Sequence, residues 1–290
     1  MNCLTVLPNW FKQSLPDAGS LRQSRWLKEK GQETVCVRAK CPNLNRCFAS
    51  RQMTFMILGA KCTRNCVFCA VPKANGAPLE IDLSEPQRIS RLAQDLGLKY
   101  AVITSVTRDD LADGGAGEFA RTIEQVRRVS PDVPVEALIP DFSANLESIR
   151  KISESPAAVV AHNLETVKRL SPVLRPQADY QRSLNVLTLI KYYNPAMVTK
   201  SSLMLGLGEA KEEVIEALTD LRMVDCGIIT LGQYLAPSPA HYPVKEFIAP
   251  KQFDEYAGIA REIGFRAVAS GPLVRSSYQA EELFRSTVNV

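Results

Sequence analysis

Only two histidines, His162 and His241, and two tryptophans stand among the 290 residues. The chain has no H-E-x-x-H pair, no G-x-S-x-G elbow and no Walker A loop. Zinc-protease, serine-hydrolase and P-loop chemistries are therefore excluded at the outset. No apolar run approaches the ~18 residues that a membrane span needs. The N-terminus carries no charged segment followed by a long apolar one, and no obvious transit peptide, so the expectation is a cytoplasmic protein with no membrane association. An excess of one charge is missing too. With 23% charged residues and a net charge of +4, the composition points neither to disorder nor to a nucleic-acid-binding surface. The one local imbalance lies in residues 1–51, where nine Lys/Arg face only Asp17, Glu29 and Glu33. Such a basic arm is either a solvated face or a docking surface for an acidic partner.

Cysteine, by contrast, is present and concentrated. Six of the eight cysteines fall within residues 36–69. In a reducing compartment that clustering favours metal ligation over disulfides. "CTRNCVFC" (62–69) sets Cys62, Cys66 and Cys69 at a C-x3-C-x2-C spacing, and "CVRAKCPNLNRC" (36–47) sets Cys36, Cys41 and Cys47 at C-x4-C-x5-C. A structural zinc site wants four ligands, and no fourth Cys or His lies near the 62–69 triad. Three thiolates hold a 4Fe–4S cluster when one iron is left open to substrate or cofactor. A zinc knuckle completed from a distance is the alternative. The upstream triad is by itself ambiguous between zinc and a second cluster. Cys226 reads as a core residue, and Cys3 is assigned no role.

From residue 53 a rhythm begins. Strand candidates are "TFMILG" (54–59), "YAVITS" (100–105), "VPVEAL" (133–138), "AAVVAH" (157–162), "KSSLMLG" (200–206), "IITLGQY" (228–234) and a weaker "RAVAS" (266–270). Amphipathic helix patterns cover 85–97, 117–129, 144–152, 179–193, 209–224 and 250–263, the first with Ser84 as N-cap, Pro86 in its first turn and Gly97 as its stop. Strand then helix, repeated about six times, predicts an α/β fold with a parallel (β/α)6-type partial barrel. "GLGEAK" (206–211) has lysine where a dinucleotide fingerprint needs its third glycine, which argues against a doubly wound sheet. In parallel barrels the active site sits at the C-terminal ends of the strands. Polar and glycine-rich residues collect at that rim, in 59–69, 107–115, at His162 and Asn163, and in 206–209.

The C-x3-C-x2-C spacing directly after a first barrel strand resembles the radical S-adenosylmethionine (SAM) superfamily, and Phe68 fits the aromatic usual before its last cysteine. Further stretches resemble the lipoyl synthases within it: both triads, "TSVTRDDLADGGA" (104–116), "VEALIPDF" (135–142), "HNLETV" (162–167), "KSSLMLGLGE" (200–209), "TLGQYLAPSPAHYPV" (230–244) and "GPLVRSSY" (271–278). The likeness spans roughly residues 35–280. It implies an enzyme that inserts two sulfur atoms at C6 and C8 of an octanoyl chain carried on a protein lysine. Those C–H bonds are unactivated, so no side-chain base can open them and a radical cofactor is a chemical necessity.

The resemblance also implies cofactors, partners and roles. The cofactors are SAM and two 4Fe–4S clusters. Cys62, Cys66 and Cys69 would hold the SAM cluster. Cys36, Cys41 and Cys47, with Ser276 or else Ser277 of the Arg275-Ser276-Ser277-Tyr278 motif, would hold an auxiliary cluster consumed as sulfur donor. Phe68, Asp109, Asp110, Glu136, Asn163, Arg175 and Lys200 are SAM-contact candidates. For Glu136, an acid inside a strand, the alternative is a structural ion pair with Arg175. The implied partners are octanoylated carrier domains (2-oxoacid dehydrogenase E2 subunits and the glycine cleavage H protein), ferredoxin or flavodoxin as electron donor, and an iron–sulfur carrier protein. Residues 1–51 would form an N-terminal extension, 52–264 the radical SAM barrel and 265–290 a C-terminal extension, the two extensions closing the mouth. Departures from the family pattern are local: Phe48 replaces a tryptophan, Arg46 stands where an acid is common, and "ASRQMTF" and "ANGAP" replace the usual runs. They are what a divergent second copy would carry. Other readings are a different radical SAM enzyme with an auxiliary cluster and a non-catalytic iron–sulfur protein.

Overall fold

Each β-rich run becomes a strand of one sheet: β1 Gln52–Ile57, β2 Tyr100–Ser105, β3 Val135–Leu138, β4 Val159–Ala161, β5 Val198–Leu205, β6 Ile228–Gln233 and β7 Ala267–Gly271. The computed structural model describes residues 7–12, 15–32, 34–38, 41, 43–76 and 79–288. Cys3, Glu33, Lys40 and Pro42, together with Ala77 and Pro78 of "ANGAP", lie outside them. The strands pair in chain order and every pair is parallel, from Gln52 opposite Tyr100 to Gly232 opposite Gly271. Parallel neighbours need crossover connections, and helices α4 Glu85–Asp95, α5 Ala116–Val129, α6 Leu146–Ser153, α8 Tyr180–Tyr193, α9 Lys211–Met223 and α10 Pro250–Ile263 supply them. The weaker seventh candidate also becomes a strand of the sheet. β7 pairs with β6 along five residues and lies within the segment that the sequence reading gave to the C-terminal extension.

The two faces of the sheet have different coverings. Met53, Phe55, Ile57, Ala101, Ile103, Val135, Ala137, Val160, Leu203 and Leu205 face outward into the core made with the crossover helices. Each buried aliphatic there contributes ~1.5–3 kcal/mol. Ile89, Leu92 and Ala93 give α4 its buried stripe. Ser84 precedes α4 as expected but makes no capping bond, because its hydroxyl donates to Asp82. On the inward face Tyr100 and Val102 pack with Ala280 and Phe284, and Ile228, Ala267, Ala269 and Val274 pack with Leu283. The last helix, α11 Ala280–Val288, therefore fills the lumen near the N-terminal ends of β2, β6 and β7. The segment before α11 reaches the mouth, where the Ser276 hydroxyl lies 3.1 Å from Asn163 Oδ1.

The described part of residues 1–51 holds more helix than its irregular composition predicts. α1 Ala18–Glu29 is capped by Asp17, whose carboxylate accepts from the Ser20 N–H at 2.7 Å. It buries only Ser20 and Leu27, so it shows almost no apolar periodicity. Two short helices follow, α2 Val35–Arg38 and α3 Leu44–Ala49. They cover the open edge of the sheet: Thr34 bridges Phe55 in antiparallel fashion and Gln32 donates to the Met56 carbonyl at 3.1 Å. Phe48 is buried in the main core, so at this position the departure from tryptophan is one of packing volume.

Candidate active site at the strand mouth

Leu58 and Gly59 both have positive φ, 65° and 87°, and turn the chain sharply off the end of β1. The Leu58 N–H donates to Glu85 at 2.8 Å, and Arg108 Nη1 donates to the Leu58 carbonyl at 3.3 Å. The loop then crosses the mouth and is tied on every side. Cys62 N–H reaches the Pro72 carbonyl at 2.9 Å and Ala74 N–H the Cys62 carbonyl at 2.8 Å. Thr63 N–H donates to Thr107, Val67 N–H to Leu174 and Tyr242 N–H to Val67, each at 3.0 Å.

Cys62, Cys66 and Cys69 are free and half-buried. Burial pushes the Cys66 thiol up, against the pull of Arg175 and with the neighbouring sulfurs of Cys69 and Cys62 adding to the rise. Burial likewise raises Cys69, opposed by the Val71 N–H and by Lys73. The three sulfurs thus form one electrostatic group. Among the described residues no Cys, His, Asp and Glu set closes to the distances of a single ion's ligands. The donor set of three soft thiolates fits a 4Fe–4S cluster with one iron left open.

Beside the thiols lie groups able to hold a charged ligand. Arg175 is 8% exposed and spends Nη1 on the Asn163 and Leu164 carbonyls. Asn163 Nδ2 donates to Glu165 at 3.0 Å. Glu165, which the sequence reading passed over, has φ 68°, a strained value for a side-chain-bearing residue. Burial raises its carboxyl, while Arg175 and Asn163 pull it down. His162 is buried, bonds the Ile139 carbonyl through Nδ1, and burial lowers it to about 4, so it stays neutral.

Several other SAM-contact candidates are already engaged. Glu136 and Lys200 are both fully buried and pair at 2.8 and 3.0 Å, with the Tyr100 hydroxyl 3.2 Å from the same carboxylate. The ion pair raised as the alternative for Glu136 exists, but with Lys200 in place of Arg175. Asp110 is held by Arg108 and Asp109 by Arg64, while Phe68 packs against the core. Cys226 is buried as expected, and burial lifts its thiol to about 12.

The site around the second triad is assembled from two distant segments of the chain. Cys36 lies on α2, Cys47 on α3, and Cys41 between them. Burial first, then the neighbouring sulfurs, raises Cys36 to about 11 and Cys47 to about 12, which places all three within mutual electrostatic reach. Arg275 comes from the later segment, near Cys41. Asn43 Nδ2 donates to the Leu273 carbonyl at 2.7 Å, and Arg46 Nη1 to the Tyr278 hydroxyl at 2.6 Å, with its guanidinium over the Tyr278 ring. Thr54 Oγ1 donates to Ser277 Oγ at 2.9 Å. Gly232 permits this arrangement, since a Cβ there would overlap the Val274 carbonyl. Three thiols with a hydroxyl beside them fit a second cluster.

A three-cysteine loop after β1, at the mouth of a seven-stranded parallel partial barrel, places the chain in a class. Residues 56–221 match the radical SAM superfamily, to which the chain belongs. The fold agrees. Methylornithine synthase (PylB) superposes with a TM-score of 0.57 at 13% identity, over 84% of this chain and 74% of that one. HydG, a maturase of the [FeFe]-hydrogenase, superposes at 0.58 and 14%, over 86% and 62%. Within the superfamily the chain is a member of the lipoyl synthase family. It is 51% identical to the lipoyl synthase of Caldanaerobacter subterraneus subsp. tengcongensis over 94% of this chain and 95% of that protein. Its identity to that of Caldicellulosiruptor saccharolyticus is 49%, over 96% and 97%. No helix among the described residues is long and apolar enough to cross a membrane.

Proposed function

We propose that this lipoyl synthase converts a protein-bound octanoyl-lysine into a lipoyl group, with the two cysteine triads in separate roles. The observation that carries this reading is two thiol triads at one mouth, the first on a loop of rim residues and the second assembled where two distant segments of the chain meet. When bound, SAM and the Cys62–Cys66–Cys69 cluster supply a radical able to break unactivated C–H bonds, and the second cluster supplies sulfur.

The residues do the positioning. Arg175, with its unspent guanidinium edge beside Cys66, suits the carboxylate of the methionyl group. Asn163 and Glu165 present an amide and a carboxylate that can accept from hydroxyl or ammonium donors. Ser277 is the better placed fourth ligand for the Cys36–Cys41–Cys47 site, because its hydroxyl accepts from Thr54 on β1, the strand that α2 and α3 cover. Ser276 faces Asn163 at the SAM rim instead. A hydroxyl oxygen is harder and more easily protonated than a thiolate, so it suits an iron that must be released. Asp109, Asp110, Glu136 and Lys200 support the site from behind, through ion pairs. The substrate is a carrier domain bearing octanoyl-lysine, of the 2-oxoacid dehydrogenase E2 or glycine cleavage H type. A low-potential ferredoxin or flavodoxin supplies electrons and an iron–sulfur carrier protein restores the consumed cluster.

The test is a single anaerobic turnover of the reconstituted protein with SAM, dithionite and an octanoyl-lysyl peptide, read by mass spectrometry. Gain of two sulfurs with loss of two hydrogens is expected. SAM cleavage with an unchanged peptide would move the protein to another substrate.

A further inference from the structure

One side chain inside the cysteine loop points away from the thiols and into the protein. Arg64, between Cys62 and Cys66, is 4% exposed although its loop neighbours Lys61 and Asn65 are exposed. Its guanidinium meets two carboxylates at once. Nε and Nη2 donate to Asp109 at 2.8 Å each, and Nη1 and Nη2 to Asp141 at 2.9 and 2.6 Å. Asp109 follows β2 and Asp141 follows β3, so one arginine pins the loop to the ends of two strands. Asp141 has no side-chain exposure, accepts from the Ser143 N–H at 3.0 Å and is approached by Arg182 at 3.4 Å. Asp109 is closed from its other side by Thr63 Oγ1 at 3.2 Å.

We infer that Arg64 is a positioning residue that holds the Cys62–Cys69 loop in its cluster-binding shape before any iron arrives. This rests on the reading that the three cysteines carry a cluster. The loop between Gly59 and Cys69 has no helix and no strand, so its shape comes from scattered backbone bonds and from this clamp. A buried ion pair is a poor device for raw stability, because desolvation offsets its attraction. Its geometry is its use. A double bidentate fork fixes both the place and the plane of a guanidinium, and arginine keeps its charge at every working pH. Fixing the side chain also fixes the backbone that carries it. The Arg64 N–H lies 3.4 Å from the Cys62 sulfur, so the clamp aims a donor at a ligand atom. Lysine, with one compact ammonium, cannot span four carboxylate oxygens.

The experiment compares wild type with Arg64→Lys, Asp141→Asn and Asp109→Asn. The first readout is amide hydrogen exchange across 62–69 in the metal-free protein. Arg64→Lys should speed exchange in this loop by about a hundredfold, the scale of a broken buried ion pair, with the strands unchanged. The single-fork variant Asp109→Asn should fall between it and wild type. The second readout is the EPR spectrum of the reduced, reconstituted protein with and without SAM. In Arg64→Lys the SAM-induced change should need higher SAM or vanish. Unchanged loop exchange with a normal SAM response would overturn the inference. So would protection lost evenly across the barrel, which would make the arginine a general support of the fold. If wild type itself takes up no iron at these cysteines, the cluster reading fails, while the metal-free exchange still decides the clamp. Should Arg64→Lys not fold, the two Asp→Asn variants decide it: faster loop exchange in both with the strands unchanged supports the clamp, and unchanged loop exchange overturns it.

Discussion

The two cysteine triads share a chemistry and differ in how the chain holds them. Cys62, Cys66 and Cys69 lie on one loop of eight residues whose backbone bonds the loops after β1 and β2, Leu174, and Tyr242 in the segment after β6. The guanidinium of Arg64 locks that loop from beneath. Cys36, Cys41 and Cys47 lie on two short helices and the link between them, and the fourth side of their site comes from a segment more than two hundred residues away in sequence. A site that keeps its cluster gains from a preset cage. A site whose cluster is spent at each turnover gains from walls that can part and close again. The contrast in construction therefore matches the contrast in proposed role.

The sharpest way to break the comparison is to delete one thiol from each side. Cys69→Ala should abolish both SAM cleavage and product, whereas Cys36→Ala should still cleave SAM and yield no lipoyl product, as read by chromatography of 5′-deoxyadenosine and mass spectrometry of the peptide. Sustained product from Cys36→Ala would merge the two roles. Next in size is Gly232→Ala, which drives a methyl group into the Val274 carbonyl and unseats the C-terminal segment. Iron content should fall by about half, with one of two equal clusters lost and SAM cleavage retained. The serine pair sharpens the comparison further. Ser277→Ala should weaken the second cluster and leave SAM binding alone, and Ser276→Ala should do the reverse, both read by EPR.

A smaller effect belongs to pH. The ordinary carboxyl value of 3.8 for Asp141 is raised by burial but pulled down more strongly by Arg64, to about 2. A depressed native value makes the clamp's contribution complete above pH ~4 and lost as pH falls from 4 towards 2. It is worth about 2 kcal/mol by linkage. Acid unfolding of the metal-free protein should therefore be shallower in Asp141→Asn. Smallest is Arg46→Ala, which removes an exposed cation from the Tyr278 ring at a cost of ~0.5–1 kcal/mol, visible as a slightly lower melting temperature.

Much of this was legible in the sequence, for physical reasons. The strands are runs of β-branched and apolar residues buried on both faces, a pattern that needs no context, and the cysteine spacings constrain what they can hold. α1 escaped notice because it buries two residues of twelve. The meeting of Glu136 with Lys200 spans 64 positions, so the sequence offered Arg175 as readily as the true partner. Arg64 was overlooked because a charged residue in a loop is usually solvated; only the folded chain brings Asp109 and Asp141 under it. Glu165 gave no signal at all, since its strain is a backbone angle. The departures from family pattern at Phe48 and Arg46 acquire reasons only in three dimensions, one as core packing and the other as a clasp on Tyr278.

The junction between Asn43 and Leu273, across 230 positions, sets an order of events during synthesis. A ribosome releases Cys36, Cys41 and Cys47 more than two hundred residues before Ser277 and Arg275. The rim loop gains its clamp once Asp141 has left the exit tunnel and its last backbone tie once Tyr242 has. The early thiols must wait, reduced and unpaired, until nearly the whole barrel exists to bring their missing wall. A chain cut between Tyr242 and Leu273 would thus keep every tie of the first site and lack the wall of the second.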